Sequence, residues 1–569
     1  MKNKHLKINR NNNAALNKGS ILSSKITLLG LALIFILGVT SCENFFETDP
    51  DNTVNDDDYI GSTSEMYSGF LGIITQMQEV GDKAIYLTDT KGDFVEPTTN
   101  APQEIWDIYY YNDLQDNSFA NPDGYYSVII ACNDYFDKMF DYKEEIGDAM
   151  DESTETNFEA LISSALRIKC WAYLMLGEIY GEAVYFDSPL TSLDDLSDSA
   201  TYTKLNSLEE VANKCLEILD NGINDIDSNL DMSWGEWLNP EDPNNSSYYS
   251  WNLITPDYLT MRSEICLILG IQYSWVRENI LNFLCETFQE DDYKYRLNAG
   301  FTNNYYRIFA SGYYYSREDI SSIIYDYSNN QTNNIITYFG KRDPAKYLFR
   351  PSSYAMGKYG EDDTRAYGSN FTDQDGDTVI TKYHSSYRWR QPYQSDPSIK
   401  LFRCHDLHFM LAEAENHLGH WDPSASILTG GIAGRFTSRV VDTTNYVETG
   451  WDPCYQEFIS GNDASYPNIG IQGCVNATQT ELPTPDDDDY DLTEEERIKV
   501  YDLALLDEML LEYPAEGRSY GMMIRMARRY NDPSIIADRV CPKYSSAYSD
   551  DIRSKIMSGG YFVDYNLGF

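Results

Sequence analysis

The chain has 569 residues, with 43 Lys and Arg against 90 Asp and Glu, a net charge of −47, and aromatic residues at 14%. That length predicts one large domain with insertions, or two or three fused subdomains. So acidic a surface repels nucleic acid and anionic membrane, which excludes nucleic acid as a partner and favours a neutral or cationic ligand.

The first 25 residues carry Lys2, Lys4, Lys7, Arg10, Lys18 and Lys25 and no acid, and Ile26 to Val39 follow as an apolar run. A membrane-spanning helix needs roughly 20 apolar residues, so this shorter run reads as an export signal. Val39-Thr40-Ser41-Cys42 resembles a bacterial lipobox, in which the cysteine thiol is acylated and the chain is cut just before it. The expected organisation is a signal peptide over 1–41, an acidic tether over 42–55 and a domain over 56–569, anchored to a membrane through lipid on Cys42. Loss of the leader leaves 37 basic residues against 90 acids, a charge of −53. Nine cysteines follow Cys42, an odd count that cannot all pair. Cys132, Cys170, Cys215, Cys266, Cys285 and Cys404 lie among aliphatic residues and read as small core hydrophobes.

Helical periodicity marks the frame. In "FEALISSALRIKCWAYLMLGEIYG", Phe158, Leu161, Ile162, Ala165, Ile168, Ala172, Leu176 and Ile179 form one stripe that Gly181 ends. "SLEEVANKCLEILDNG" opens with a capping box at Ser207 and Glu210. Thr255 to Gln289 reads as a helical pair with Pro256 near its start. "FRCHDLHFMLAEAENHLG" carries a stripe of Cys404, Leu407, Leu411, Ala414 and Leu418, stopped by Gly419. A second capping box, Thr493 and Glu496, begins a further helix, and Pro514 is placed to begin the next. Periodicity is lost at about 85–125, 230–252, 291–399 and 440–492, so these read as loop- and strand-rich insertions, where function usually resides. "DQDGDTVITKYHSSYRWRQPY" reads as a turn leading into strands and an exposed loop. Helical pairs of this kind suggest a tetratricopeptide-like solenoid, although no 34-residue period aligns. The 47 tyrosines, clustered as "IYYYN", "SSYYSW" and "SGYYYS", suit either packing or a binding surface.

Taken in order, these segments resemble the SusD/RagB family of outer-membrane nutrient-binding lipoproteins of Bacteroidetes. The resemblance rests on "CENFFETDP" from Cys42, "YYSVIIACNDYFDKM" from Tyr125, and "SALRIKCWAYLMLGEIYGEAVYFDSPL". It rests also on "FRCHDLHFMLAEAENHLG", similar to the family's RxAExxLxxAEA helix, and "LLDEMLLEYPAEGRSYGMMIRMARRYNDP", similar to its ERxxEFxxEGxRxxDLxR segment. Cys404-His405-Asp406 departs from the usual aromatic-alanine-glutamate, and Gly521-Met522 from the usual Tyr-Asp. The resemblance implies a mainly α fold, a tetratricopeptide-like frame of helical pairs with insertions forming the ligand face. It implies a non-catalytic glycan-binding protein on the outer membrane, facing the exterior, and a SusC-like TonB-dependent transporter as partner. The rival readings are the same fold binding a peptide or another nutrient, and a lipid-anchored hydrolase.

Sugars present apolar C–H faces to aromatic rings and hydroxyls to polar side chains. "DTKGDFVEPTTNAPQEIWDIYYYND" supplies both, with Trp106, Tyr109 and Asn112 as candidates and Asp93 behind; the alternative is that Trp106 packs on the frame. "KYHSSYRWRQPY" adds Tyr383, Tyr387, Trp389 and Arg390, and "DMSWGEWLNPEDPNNSSYYSW" adds Trp234 and Trp237. His405, His408 and His417 share one helix, but His405 and His417 stand about 18 Å apart along it. One zinc ion cannot use both ends, and the three read as polar helix positions. Asp373, Asp375 and Asp377 surround Gly376 without the EF-hand spacing, so a structural calcium competes with a plain turn, and no cofactor is expected. Asp486 to Glu496 reads as a solvated acidic loop feeding a helix N-terminus. There is no GxSxG, HExxH or P-loop pattern. With so many acids, some carboxylate pair at glycosidase spacing is expected by chance.

Overall fold

A computed structural model of the chain describes residues 60–190, 201–230, 251–290, 294–297, 308–309, 318–325, 330–331, 333–341, 345–367, 369–383, 397–433, 450–460, 467–483 and 492–565. Cys42, the signal peptide and the tether lie outside the described residues, as do Trp234, Trp237, Tyr387, Trp389 and Arg390.

The protein is mainly α. In chain order, α1 (Thr63–Val80), α2 (Lys83–Lys91), β1 (Val95–Pro97) and α3 (Gln103–Tyr109) precede α4 (Asp123–Ile146) and α5 (Glu152–Tyr180). After β2 (Ala183–Tyr185) and β3 (Thr203–Leu205) come α6 (Leu208–Asn221), α7 (Tyr258–Leu269) and α8 (Tyr273–Glu290). The strands β4 (Asp319–Ile324), β5 (Phe349–Pro351), β6 (Phe371–Gln374), β7 (Asp377–Ile380) and β8 (Ser398–Arg403) occupy the irregular middle. Then follow α9 (Cys404–His417), α10 (Trp421–Leu428), α11 (Glu494–Glu512), α12 (Ser519–Arg529), α13 (Ser534–Val540) and α14 (Ser546–Met557).

Each long helix packs on its neighbour: α4 on α5, α5 on α6, α6 on α7, α7 on α8, α8 on α9, α9 on α11, and α11 through α14 in series. This is the helical-pair frame that periodicity anticipated. α5 lies at its heart, touched by α1, α4 and α6, and every residue from Ala160 to Leu174 is buried. Its polar members are satisfied locally: Arg167 donates to the Pro256 carbonyl at 3.0 Å, and Lys169 pairs with Asp187 at 2.6 Å. Among the described residues no helix is long and apolar enough to cross a membrane.

The helix boundaries follow their local chemistry. Asp151 caps α5 by accepting from the Thr154 N–H at 2.8 Å. Gly181 ends the helix at φ +80°, where a Cβ would meet the Phe562 ring at 2.7 Å. Ser207 accepts from Glu210 N–H at the start of α6, and Thr493 and Glu496 cap α11 reciprocally. Asp257 caps α7, just past Pro256. Pro514 does not begin a helix. It sits in the turn between α11 and α12, and α12 starts at Ser519 because Gly517 at φ +78° breaks the backbone first.

The strands form two-stranded antiparallel pairs, β1–β5, β2–β3, β4–β8 and β6–β7. β6 and β7 join through Asp375 (φ 51°) and Gly376 (φ 86°), the positive-φ pair of a type I′ hairpin. Lys341 braces the hairpin: its ammonium pairs with Asp377 at 2.5 Å and donates to the Asp375 carbonyl at 2.9 Å.

Two further readings from the sequence need correction. Cys285 is half of a disulfide with Cys454, 169 residues away, which ties α8 to the segment before Gln456–Ser460; Cys132, Cys170, Cys215, Cys266 and Cys404 are free and buried. The stretch from 85 is not wholly a surface insertion either. α2 packs beside α12, and Asp89, Thr90, Lys91 and Asp93 are buried.

Candidate functional site

The charged motifs of the frame converge on a buried hub. Arg403, the last residue of β8, bonds Glu516 through Nε and Nη2 at 3.0 Å each and reaches Glu512 at 2.8 Å and Glu318 at 3.3 Å. Arg365 binds Glu508 at 2.6 Å, Glu512 at 3.0 Å and Asp363 at 2.7 Å, while Lys382 holds Glu516 at 2.6 Å. Glu508 and Glu512 are one turn apart on α11, so a single helix face feeds the hub. Burial opposes ionisation of Glu512, but the surrounding His405, Arg403 and Arg365 outweigh it and hold the carboxyl well below its ordinary range. Arg518 donates to the Leu401 carbonyl at 2.7 Å and pairs with Glu264 and Asp406. Glu413 of α9 receives both Arg525 and Arg529, and Glu415 receives Arg277. The acids and arginines that carried the resemblance are therefore internal staples.

The histidines belong to the same interior. His405 and His408, read as polar helix positions, are fully buried. His405 Nδ1 lies 2.9 Å from Glu318, and Nε2 lies 3.6 Å from Glu512. Glu318, Cys404 and His405 sit close enough to share a metal ion, and Glu318 is already paired with Arg403 and His405 there. Beside Arg518 lies a cavity of about 50 Å³ lined by Glu178 and Glu264. Burial, then repulsion from Glu264, pushes Glu178 up to about 8. That volume holds a water or two, not a sugar ring.

The aromatic platform is different. In α3, Ile105, Ile108 and Tyr109 turn inward, which leaves Trp106 and Tyr110, four apart, on the outer side. Their rings stack at 5.7 Å and 21°. Tyr548, from the first turn of α14, stacks on Tyr110 at 4.5 Å and 29° and is 47% exposed. Burial and the neighbouring Tyr548 raise the Tyr110 hydroxyl above its ordinary value, so it stays a neutral donor and acceptor. Tyr111 then takes φ 56° and bends the chain away. Asn112, exposed, donates to Asp107 at 3.0 Å and accepts from Lys555 at 3.4 Å.

The platform is clamped from behind. Tyr544 donates to the Tyr109 carbonyl at 2.7 Å with its ring 4.6 Å from that of Tyr109, and Lys555 donates to the Tyr110 carbonyl at 3.0 Å. Lys543 is gripped by the carbonyls of Thr90, Gly92 and Val95, and burial lowers it to about 7. Three half-exposed or exposed rings are thus held in a fixed row beside amide and carboxylate groups, an arrangement suited to stacking on a ring and bonding its hydroxyls.

Of the candidates chosen from sequence, Trp106 and Asn112 belong to this surface; one side of Trp106 also rests on the core. Tyr109 lies beneath it, 5% exposed. Asp93 is buried and paired with Lys358 at 2.8 Å, and Tyr383 is buried with its hydroxyl donating to the Ala515 carbonyl at 2.9 Å. Neither reaches the surface, because both brace the turn between α11 and α12 or the β1–β5 pair. Tyr110 and Tyr548 were not singled out. Tyr110 was findable by its four-residue spacing from Trp106; Tyr548, far along the chain, carried no local signal.

No family model matches the chain, and no curated protein matches it. Solved structures do. A SusD superfamily protein from Bacteroides vulgatus ATCC 8482 aligns with TM-score 0.56 and 13% identity, over 88% of this chain and 95% of that one. B. fragilis NanU aligns with TM-score 0.55 and 15% identity, over 87% and 94%. A candidate sugar-binding protein from B. vulgatus aligns with TM-score 0.51 and 16% identity, over 82% and 87%. At such identities the likeness is one of architecture, and the chain has the SusD superfamily fold.

Proposed function

We propose that this protein captures glycans at the cell surface through the platform of Trp106, Tyr110 and Tyr548 and delivers them, unreacted, to a SusC-like TonB-dependent transporter in the outer membrane. The observation that carries the reading is the row of three outward rings, preorganised by Tyr544 and Lys555 and flanked by Asn112 and Asp107. The neighbour described as a candidate sugar binder supports it. In this reading Cys42 carries the lipid that keeps bound ligand near the pore, and no catalytic residue is assigned.

The test is a glycan array followed by calorimetry on wild type, Trp106→Ala and Tyr548→Ala. Each substitution is expected to weaken the best ligand tenfold or more, about 1.4 kcal/mol. Unchanged binding in both variants rejects the platform. Release of shortened products from an oligosaccharide, abolished by one carboxylate substitution, rejects a non-catalytic role. Labelled palmitate on wild type but not on Cys42→Ala tests the anchor.

A further inference from the structure

Helices α5 and α6 pack so closely that a Cβ on Gly177 would stand 3.1 Å from the Val211 Cβ. Two turns before Gly177 on α5 and one turn after Val211 on α6, the pair presents Cys170 and Cys215 to each other. Both are free thiols with no exposure to solvent. The Cys215 sulfur lies 3.5 Å from the Cys170 carbonyl oxygen, and the Cys170 sulfur lies 3.9 Å from the Cys215 carbonyl oxygen. The two thiols also share a hydrogen bond. A disulfide needs Cα atoms about 5.5–6 Å apart with their Cβ atoms turned toward each other. Two side chains that each reach the other's carbonyl, on helices this close, have that mutual orientation.

Three of the other free thiols turn elsewhere. Cys266 accepts from Arg262 Nη1 at 3.7 Å, while Cys404 and Cys474 lie against the imidazoles of His408 and His405 at 3.8 and 3.7 Å. Cys132 on α4 is the rival, near enough to Cys170 to feel its charge. The chain already holds the Cys285–Cys454 disulfide, a bond that forms in oxidising surroundings. A facing pair of thiols in the same chain meets the same oxidant.

We propose that Cys170 and Cys215 are a modification site: they close a second disulfide, across 45 residues, that staples α5 to α6 inside the frame. The oxidant is a disulfide, either of a small thiol or of a dithiol protein. One cysteine, as its thiolate, attacks a sulfur of that disulfide and expels the first thiol. The second cysteine then attacks the sulfur of the first and expels the other thiol. The S–S bond of the oxidant is exchanged for that of the chain, which loses two electrons to it, and the two cysteine protons end on the two released thiols. The exchange precedes packing. In the finished fold the bond to Cys170, and then burial, push the Cys215 thiol up, and an unexposed thiol is inert. The staple therefore closes while α6 is settling on α5, and the same burial then shields it from reduction.

The test reduces and unfolds the purified full chain and refolds it with oxidised glutathione in excess. Remaining thiols are trapped with iodoacetamide, and the digest is mapped by mass spectrometry once the Cys285–Cys454 peptide pair is complete. A Cys170–Cys215 peptide pair that reductant splits is expected in most molecules. Cys132→Ala is expected to keep that pair, and Cys215→Ala to abolish it. The gap in urea midpoint between wild type and Cys215→Ala is expected to be larger under oxidant than under reductant. The wild-type map decides even where a variant fails to fold. Alkylated Cys170 and Cys215 beside an intact Cys285–Cys454 pair, Cys170 joined to Cys132, or an equal gap in midpoint overturns the proposal.

Discussion

The hub around Arg403 and the platform around Trp106 both draw on residues conspicuous in the sequence, yet they behave in opposite ways. In the hub, Arg403 and Arg365 meet Glu512, Glu516 and Glu508 with no exposure to solvent. In the platform, Trp106 and Tyr548 each stack on Tyr110, and all three rings stay partly exposed. A residue type does not assign a role; the degree to which its partners are already present does. Arginines flanked by acids became structure, and aromatics left partly exposed became a candidate surface.

That contrast can be broken from the hub side first. Arg403→Met is expected to cost about 3–5 kcal/mol, because Glu512, Glu516 and Glu318 lose a buried counter-charge together; chemical denaturation measures it. A loss below 1 kcal/mol removes the claim that the hub is a staple. Gly517→Ala comes next, at about 3 kcal/mol, since a Cβ there meets the Ile85 nitrogen at 2.9 Å and the backbone is at φ +78°.

Asp89 sharpens the comparison through pH. Burial, against the opposing Gly517 N–H bond, raises its carboxyl to about 8. A raised acid holds its proton more tightly folded than unfolded, so its contribution is full below the ordinary value near 4 and declines as pH rises toward 8. Asp89→Asn removes that decline. Unfolding free energies of wild type and variant are expected to diverge between pH 4 and 8 in favour of the variant, by roughly 5 kcal/mol, and then run parallel. Parallel curves throughout mean that the native carboxylate is ionised.

On the platform side, Tyr548→Ala is expected to change stability by about 1 kcal/mol or less while glycan affinity falls tenfold. The smallest effect belongs to the β6–β7 hairpin. Asp377→Asn is expected to fall within about 0.5 kcal/mol, since its pair with Lys341 is half-exposed, and millimolar calcium is expected to leave the melting temperature unchanged.

How much of this was legible beforehand follows from range. The stripe from Phe158 to Ile179, the Gly181 stop and the caps at Ser207 and Thr493 are decided within a few residues, and each stands where periodicity puts it. His405, Glu413 and Glu415 look like surface positions because their partners Glu318, Arg525 and Arg277 come from distant segments. Cys285 shows no sign of Cys454 for the same reason. Tyr383 sits in a polar loop by composition, but its neighbour Lys382 draws that turn into the hub. At the platform, Trp106 and Asn112 were readable from one stretch; the stacking on Tyr548 required the last helices.

That last point bears on when the surface comes into being. The Tyr544 bond to Tyr109 closes across 435 residues, a contact of high sequence separation that forms late in folding. A chain made from its N-terminus displays Trp106 early, but without Tyr548, Lys555 or the Tyr544 strut behind it. Completion of the platform is thereby coupled to finished assembly. A nascent or C-terminally clipped molecule has one unsupported aromatic helix, and on the proposed function it is expected to bind sugar more weakly than the full chain.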